Sequence, residues 1–287
     1  MRVAVIGAGQ WGTVFARLLA ERGHDAVLVR RGEKPAEDDS DLVAIAVPSR
    51  SFAEVARALD GTAPVLVLTK GLDPESGDRL STLVGDRPVA ALSGPNFAAE
   101  IAAGLPAAAV VASEDEALAQ RLQEELTSLS YRIYVNTDLT GVELCAAAKN
   151  VIALAAGGVE GLGLGDNAKA ALITRGLAEM ARLAEACGAR PETFAGLAGM
   201  GDLIVTCWSR HSRNRRAGEL IARGTPPADA IASIGTVEGA TTAPVLLRLA
   251  ERLGIDLPIT EGVVGVLRGQ PPDELVSSLM GRRPRAE

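Results

Sequence analysis

The start of the chain constrains its fold more than any other part. Val3-Ala4-Val5-Ile6 runs straight into Gly7-Ala8-Gly9-Gln10-Trp11-Gly12, and Thr13–Arg22 continues with helical periodicity. A glycine loop between a buried strand and a helix is suited to a dinucleotide's pyrophosphate. Gly7 permits the tight turn, Gly9 lets the backbone approach the phosphates, and Gly12 lets helix pack on strand. The helix N-terminus offers N–H groups and a partial positive charge to the same phosphates. The motif gains specificity because it opens a βαβ series. Val3–Ile6, Ala26–Val29, Leu42–Val47, Val65–Thr69, Val89–Leu92 and Ala108–Ala112 read as buried strands, and Thr13–Arg22 and Phe52–Leu59 as crossover helices. Several runs are apolar almost throughout, as parallel strands covered on both faces require.

From about Gly141 strand-like runs give way to helical periodicity. Leu172, Ile173, Gly176, Leu177, Met180, Leu183, Ala184 and Cys187 share one helical face, and Gly188 stands where a C-cap belongs. Ala243, Leu246, Leu249, Ala250 and Leu253 mark another helix, ended by Gly254. The expected fold is α/β: a doubly wound Rossmann-type N-terminal domain over residues 1–140 and an all-helical C-terminal domain over 141–287. The chain has 287 residues, enough for two domains, and its 47% apolar content fills two cores. Only 3% is aromatic, which favours close-packed helices and parallel strands over a β-sandwich. The tail Gly281–Glu287 is expected to fray.

The net charge of −7 argues against a nucleic-acid binder, though not against a local basic pocket for a small anion. Cys145, Cys187 and Cys207 are odd in number, widely spaced and without metal spacing, so reduced thiols in a cytoplasmic protein are the expectation, and no metal. Met1-Arg2 leads into a run too short for a signal core. No stretch of about 18 apolar, uncharged residues suggests a membrane span.

The second strand ends Val29-Arg30-Arg31, where NAD enzymes carry an acidic residue for the ribose hydroxyls. Arginines there suit a 2′-phosphate, so NADPH is the expected preference over NADH; a solvated turn is the plainer reading of both. Ligands of open α/β sheets sit beyond the strands' carboxyl ends. Those ends are Pro48-Ser49, Lys70-Gly71 and Ser93-Gly94-Pro95-Asn96, and Lys70 would place a cation beside the cofactor.

Three further clusters carry chemistry. In the apolar run Gly141–Gly158 the polar side chains are Glu143, Lys149 and Asn150. A lysine in so buried a helix needs a partner or a task, and desolvation brings an ammonium toward the range useful for proton transfer; a snorkelling lysine is the alternative. Asp202, among glycines and apolar residues, either pairs with that lysine or caps the next turn. Ser212 is a plausible N-cap that puts Arg213 and Asn214 on a helix's first turn, a suitable phosphate site; an exposed basic turn is the alternative. His24 and His211 are the only histidines, which leaves little for a histidine-based acid/base scheme.

These residues carry a specific resemblance. GAGQWGTVFA, AVPS from Ala46, LTKGL from Leu68, SGPNFAAEIAAGLPAA from Ser93, GVELCAAAKNVIALAAG from Gly141, NAKAALITRGLAEM from Asn167, GLAGMGDLIVTC from Gly196, SRNRRAG from Ser212 and VEGATTA from Val237 follow one another over most of the chain. The sequence resembles the NAD(P)-dependent glycerol-3-phosphate dehydrogenases. The resemblance implies reversible reduction of dihydroxyacetone phosphate to sn-glycerol 3-phosphate, the backbone of glycerophospholipids, by a homodimer. It implies Lys149 as general acid/base and Asp202 as its orienting partner. Lys70, Asn150, Thr206, Ser212, Arg213 and Asn214 would bind substrate, with Gly94, Asn96 and Ala98 where substrate meets nicotinamide. Gly7, Gly9, Gln10, Trp11, Gly12, Arg30, Arg31, Lys70, Ala98, Arg213 and Glu238 would contact the cofactor.

There are departures. Asn96 stands where the family often has serine, and Gln10 where it often has a small residue. Only Gly32–Ser40 links Arg31 to Asp41, where the family carries a longer segment, so an edge strand and its helix should be missing on the adenine side. Two other readings remain at this point: a 6-phosphogluconate or hydroxyacid dehydrogenase, and a non-catalytic dinucleotide sensor.

Overall fold

The computed structural model describes residues 1–33 and 39–274. Its described strands are β1 (Arg2–Ile6), β2 (Asp25–Val29), β3 (Leu42–Ile45), β4 (Val65–Val67), β5 (Val89–Ser93), β6 (Ala107–Ala112) and β7 (Tyr131–Asn136). They form one sheet in the order β2-β1-β3-β4-β5-β6-β7. The first five strands are parallel. Alternation along them feeds two cores: Val3 and Val5 point to one face, Ala4 and Ile6 to the other. The first face is covered by α1 (Gln10–Glu21), α3 (Ala98–Ala102) and α4 (Glu116–Leu126) through Phe15, Leu19, Ile101, Leu118 and Leu122. The second is covered by α2 (Ser49–Arg57), through Phe52 and Ala56, and by a 3₁₀ turn at Leu80–Val84. Helices on both faces make the sheet doubly wound, as the βαβ rhythm implies.

Two features depart from the sequence reading. β6 runs antiparallel to β5, and β7, parallel to β6, was not among the expected strands. β7 reads Tyr-Arg-Ile-Tyr-Val-Asn, with exposed Arg132 and Tyr134 alternating with buried Tyr131 and Ile133. Such alternation marks a strand at a sheet edge with one wet face, and a search for wholly apolar runs passes over it. At the opposite edge lies β2, with β3 directly on the other side of β1. No further strand joins β2 to β3 among the described residues; residues 34–38 of the short connection lie outside them, as does the tail 281–287.

The helical part comprises α5 (Leu139–Gly161), α6 (Gly165–Ala186), α7 (Pro191–Ala195), α8 (Asp202–Trp208), α9 (Arg213–Ala222), α10 (Pro227–Ile234), α11 (Glu238–Leu253) and α12 (Pro258–Leu267). α5 is its axis. Asp138 caps it, accepting from the Gly141 N–H at 2.9 Å, and its residues are buried on nearly every side. A helix apolar all round belongs in a core. By length and composition α5 could cross a membrane, but 89% of its apolar window is buried inside the molecule. Its first turns pack Leu139 and Val142 against the sheet's second face, while Cys145 to Ala156 fill the helical core. α9 crosses α5 where glycines let backbones meet: a Cβ on Gly157 would strike the Arg215 carbonyl, and one on Gly218 the Leu154 carbonyl. The face expected from Leu172 to Cys187 appears in α6, where Ile173, Met180, Leu183 and Ala184 are buried and Gly188 (φ +78°) follows the end.

Candidate active site

A cleft of about 290 Å³ opens between the strands' carboxyl ends and the helical part. The sheet side supplies the glycine loop at Gly9–Trp11, Ala46–Pro48 after β3, Leu68–Lys70 after β4, and Asn96–Ala98 after β5. Opposite stand Lys149 and Asn150 of α5, Asp202 and Thr206 of α8, Ser212–Asn214 at the start of α9, and Glu238 at the start of α11.

Asp202 sits at the centre of the polar network. Residues 197–201 form a widened π turn that runs into α8 and delivers Asp202 to its first turn with helical backbone angles (φ −72°, ψ −31°). It is therefore not an N-cap. Its Oδ1 accepts from Lys149 Nζ at 2.6 Å and its Oδ2 from Lys70 Nζ at 2.8 Å. Lys149 also donates to Thr206 Oγ1 at 2.9 Å, and Thr206 donates to the Asp202 carbonyl at 2.5 Å. Lys149 is thus buried and paired, not snorkelling. Lys70 donates further to the Gly94 carbonyl at 2.9 Å and Asn96 Oδ1 at 2.6 Å. Gly94 has φ +128°, and a Cβ there would press on the Ala109 backbone, so glycine is needed to present this carbonyl. Burial lowers the Lys70 ammonium to about 8; Asp202 opposes that shift and the nearby Lys149 charge adds to it. Burial would raise the Asp202 carboxyl, but the two ammonium groups outweigh it and hold it below the usual range.

A second chain of amides fixes the cleft's other wall. Asn150 donates to the Lys70 carbonyl at 3.2 Å, Asn214 donates to Asn150 Oδ1 at 2.9 Å, and the Gly239 N–H donates to Asn214 Oδ1 at 2.8 Å. Ser212 caps α9, accepting from the Arg215 N–H at 3.2 Å. The side chains of Ser212 and Asn214 are therefore committed to protein, while Arg213 is exposed and lines the cleft.

The glycine loop fits a pyrophosphate. Gly7 (φ +114°) and Gly12 are tightly enclosed: a Cβ on the first would meet Ala46, and on the second the Gly7 carbonyl. Gly9, on the cleft side, has no atom within 4 Å of where a Cβ would stand. It begins α1 with no side-chain cap, so the helix's first N–H groups face that space. Gln10 and Trp11 line the cleft, with the Trp11 ring edge-on to Tyr131 at 6.5 Å. Trp11 Nε1 is a buried donor without a protein partner among the described residues, which fits a wall that meets a polar ligand. Glu238 reaches across the cleft: Ser49 donates to it from Oγ at 2.6 Å and from its N–H at 3.2 Å. Arg30 and Arg31 are exposed at the tip of β2, outside the cleft lining.

The cleft thus gathers Gly9, Gln10, Trp11, Lys70, Asn96, Ala98, Lys149, Asn150, Asp202, Thr206, Ser212, Arg213, Asn214 and Glu238, and leaves Gly7, Gly12 and Gly94 as supports behind it. Sequence reasoning missed Phe97 and gave His211 no task; both line the cleft, their rings 6.1 Å apart across it. Phe97, next to Asn96 at a strand tip, carried a signal; His211 did not.

The family model described as NAD-dependent glycerol-3-phosphate dehydrogenase C-terminus matches residues 138–277, and that for the N-terminus matches 2–38 and 33–119. The chain is 44% identical to the glycerol-3-phosphate dehydrogenase [NAD(P)+] of Symbiobacterium thermophilum, over all of this chain and 95% of the relative. It is 40% identical to that of Chlorobium phaeobacteroides, over all of this chain and 99% of the relative. The latter alignment runs to 332 positions against 287 residues here, and the N-terminal family match divides at the β2–β3 connection, where this chain is short. The crystal structure of glycerol-3-phosphate dehydrogenase from Coxiella burnetii superposes with a TM-score of 0.93 at 35% identity, covering 98% of this chain and 99% of that one. These matches set aside the 6-phosphogluconate, hydroxyacid and sensor readings. The chain belongs to the NAD(P)-dependent glycerol-3-phosphate dehydrogenase family.

Proposed function

We propose that this cleft reduces dihydroxyacetone phosphate to sn-glycerol 3-phosphate, reversibly, with Lys149 as the proton donor. The observation that carries the assignment is the buried Lys149–Asp202 contact at 2.6 Å beside a cofactor loop. The nicotinamide cofactor, when bound, supplies the hydride to the ketone carbon. As that carbon becomes tetrahedral, its oxygen gathers negative charge. The Lys149 ammonium stabilises that charge and gives it a proton. Asp202 holds the ammonium in place, and Thr206 fixes its second N–H bond. Lys70 brings a second ammonium from the other wall. In the reverse direction Lys149, left neutral, takes the hydroxyl proton back.

Substrate phosphate is assigned to the Arg213 guanidinium and the N–H groups opening α9, since the Asn214 and Ser212 side chains already serve Asn150, Gly239 and the helix cap. Gripping the phosphate fixes the reacting carbon against the cofactor. Residues 1–140 bind the cofactor, and residues 141–287 supply the acid and the phosphate grip. Gly94, Asn96 and Ala98 border the meeting point of substrate and nicotinamide, and Glu238 closes on the cofactor. Arg30 and Arg31 favour NADPH. The three thiols are free, which suits a cytoplasmic enzyme, and the resemblance to the family extends the proposal to a homodimer.

The test is NAD(P)H oxidation with dihydroxyacetone phosphate, by the wild type and by Lys149→Ala. Turnover by the wild type and a loss on the order of 10²–10⁴-fold in the variant are expected. A wild type without turnover would sink the activity, and a fully active variant would sink the site.

A further inference from the structure

Between Lys70 and the turn at Leu80 the chain leaves the sheet and enters the helical part. Leu72 is buried in the same core as Leu144, Ala148 and Val151 of α5. It bridges to Arg79, and the Asp73 N–H donates to the Asp78 carbonyl at 3.0 Å. The Asp73 carboxylate closes the tip, accepting from the Ser76 N–H at 2.8 Å and its hydroxyl at 2.9 Å. Arg248 of α11 holds the outer side, donating to the Pro74 carbonyl at 2.8 Å. The result is a tongue with Lys70 at its root and Ser81 at its exit.

Two links tie this tongue to α5. One is the bond from Asn150 to the Lys70 carbonyl. The other is Glu143, which lies 5% exposed. Its carboxylate accepts from the Ser81 N–H at 2.9 Å, the Ser81 hydroxyl at 2.5 Å and Arg79 Nη1 at 3.0 Å. At 1.5 Å of rise per residue, Glu143 and the Lys149-Asn150 pair stand roughly 10 Å apart along α5. The tongue is therefore fastened to the catalytic helix at two points a turn and a half or more apart. Two fastenings fix orientation as well as distance, which a single one cannot.

The reaction assigned above needs that registry. Lys70 comes from the tongue's root and Lys149 from α5, and they meet opposite oxygens of one carboxylate. We propose that Glu143 is a positioning residue for the proton-transfer site: by clamping Arg79 and Ser81 it keeps Lys70 and Lys149 aligned on Asp202. Glu143 does not line the cleft. The inference rests on the reading of Lys149 as the proton donor.

A purely structural clamp and a positioning clamp differ in what they move. The first lowers the melting temperature, and cofactor affinity with it. The second changes kcat and the pH at which Lys70 gives up its proton, because the charged groups facing Lys70 are Asp202 and Lys149 and their spacing would change. The variant Glu143→Gln keeps the side chain's shape. It removes the charge from Arg79 and turns an N–H donor toward the donors of Ser81. We expect it to bind NAD(P)H as the wild type does and to lose about tenfold or more in kcat, since a 1 Å misplacement costs on the order of 10²-fold. Its pH–rate limb near 8 should be displaced. Ser81→Ala, which removes one hydroxyl, should show a smaller loss with a displacement of the same sign. If Glu143→Gln does not fold, Ser81→Ala and Arg79→Lys carry the same readouts. Unchanged kcat and an unchanged limb would overturn the proposal, as would a kcat loss that merely follows melting temperature and cofactor affinity across the series. Lys149→Ala belongs in the same experiment. If it is inactive while Glu143→Gln behaves as the wild type, the positioning role falls and the site stands; if it is fully active, both fall.

Discussion

Asp202 accepts from two lysines that share no other partner among the described residues, so its side chain decides how the whole site is charged. In Asp202→Asn the buried Lys149 ammonium and the half-buried Lys70 ammonium would face a neutral amide. Breaking a buried ion pair by removing one partner costs about 3–5 kcal/mol, so a lower melting temperature is expected together with a loss of turnover on the order of 10²-fold or more. The pH dependence follows from Lys70. Burial lowers its ammonium from 10.5 to about 8, so it is charged below that pH and neutral above it. Between the two values the folded chain holds fewer protons at this site than the unfolded chain. This lysine therefore weighs against folding while charged, and that penalty fades as pH rises toward 10.5. Activity runs the other way: kcat/KM for dihydroxyacetone phosphate should fall as pH rises through about 8. In Lys70→Arg, whose guanidinium keeps its proton, that limb should disappear from a pH–rate profile; its persistence would assign it to another group. Much of the site was legible at this scale. Lys149 stood out as a cation in an apolar helix, and Lys70 as a cation at a strand tip. Asp202 stayed open between cap and partner because its lysines lie 53 and 132 residues away. Glu143 was visible as a polar residue, but its partners, 62 and 64 residues distant, were not.

Among elements, α5 decides the most. Its crossing with α9 depends on backbone contact, and adjacent glycines separate packing from propensity. A Cβ on Gly157 would strike the Arg215 carbonyl, whereas one on Gly158 would meet nothing within 4 Å. Gly157→Ala should therefore destabilise by about 1–3 kcal/mol, because backbone cannot yield as a side chain can. Gly158→Ala should stabilise by roughly 0.4–1 kcal/mol, as a helix gains when a glycine with room becomes alanine. Thermal unfolding of the two variants checks this, and a shift of the same sign in both would refute the packing account. Periodicity revealed α5, α6 and α11 because burial imposes 3.6-residue spacing or an apolar run. It did not reveal β7, whose Arg132 and Tyr134 face solvent, nor the reversal at β6, since strand direction leaves no mark in composition. The short helix α3 is all that fills the connection between β5 and β6.

At the scale of the molecule, Lys70–Asp202, Ser49–Glu238 and Glu143 on Arg79 and Ser81 join the two parts, each between a segment that follows a strand and a helix of the other part. The cofactor must be read across the same boundary. Arg30 and Arg31 are exposed at the tip of edge strand β2, outside the cleft lining, and their proposed contact with a 2′-phosphate is what the choice of cofactor tests. Higher kcat/KM with NADPH than with NADH is the expected outcome; equal values would leave the two arginines as solvated turn residues. The doubly wound sheet and the helical part were legible from the βαβ rhythm and its end near Gly141, whereas the contacts between the parts were not, because no local pattern encodes a long-range bond. The pairing at Asp202 has a consequence for the resting protein. Two ammonium groups share the Asp202 carboxylate, and the exposed Arg213 adds a third cation, against which the cleft sets only Glu238 as a further carboxylate. The cleft lining thus carries more cationic than anionic side chains, and a phosphate ester is a counter-ion that suits it. Substrate then stabilises the folded chain as well as reacting on it, and any small dianion that fits shares the first effect without the second.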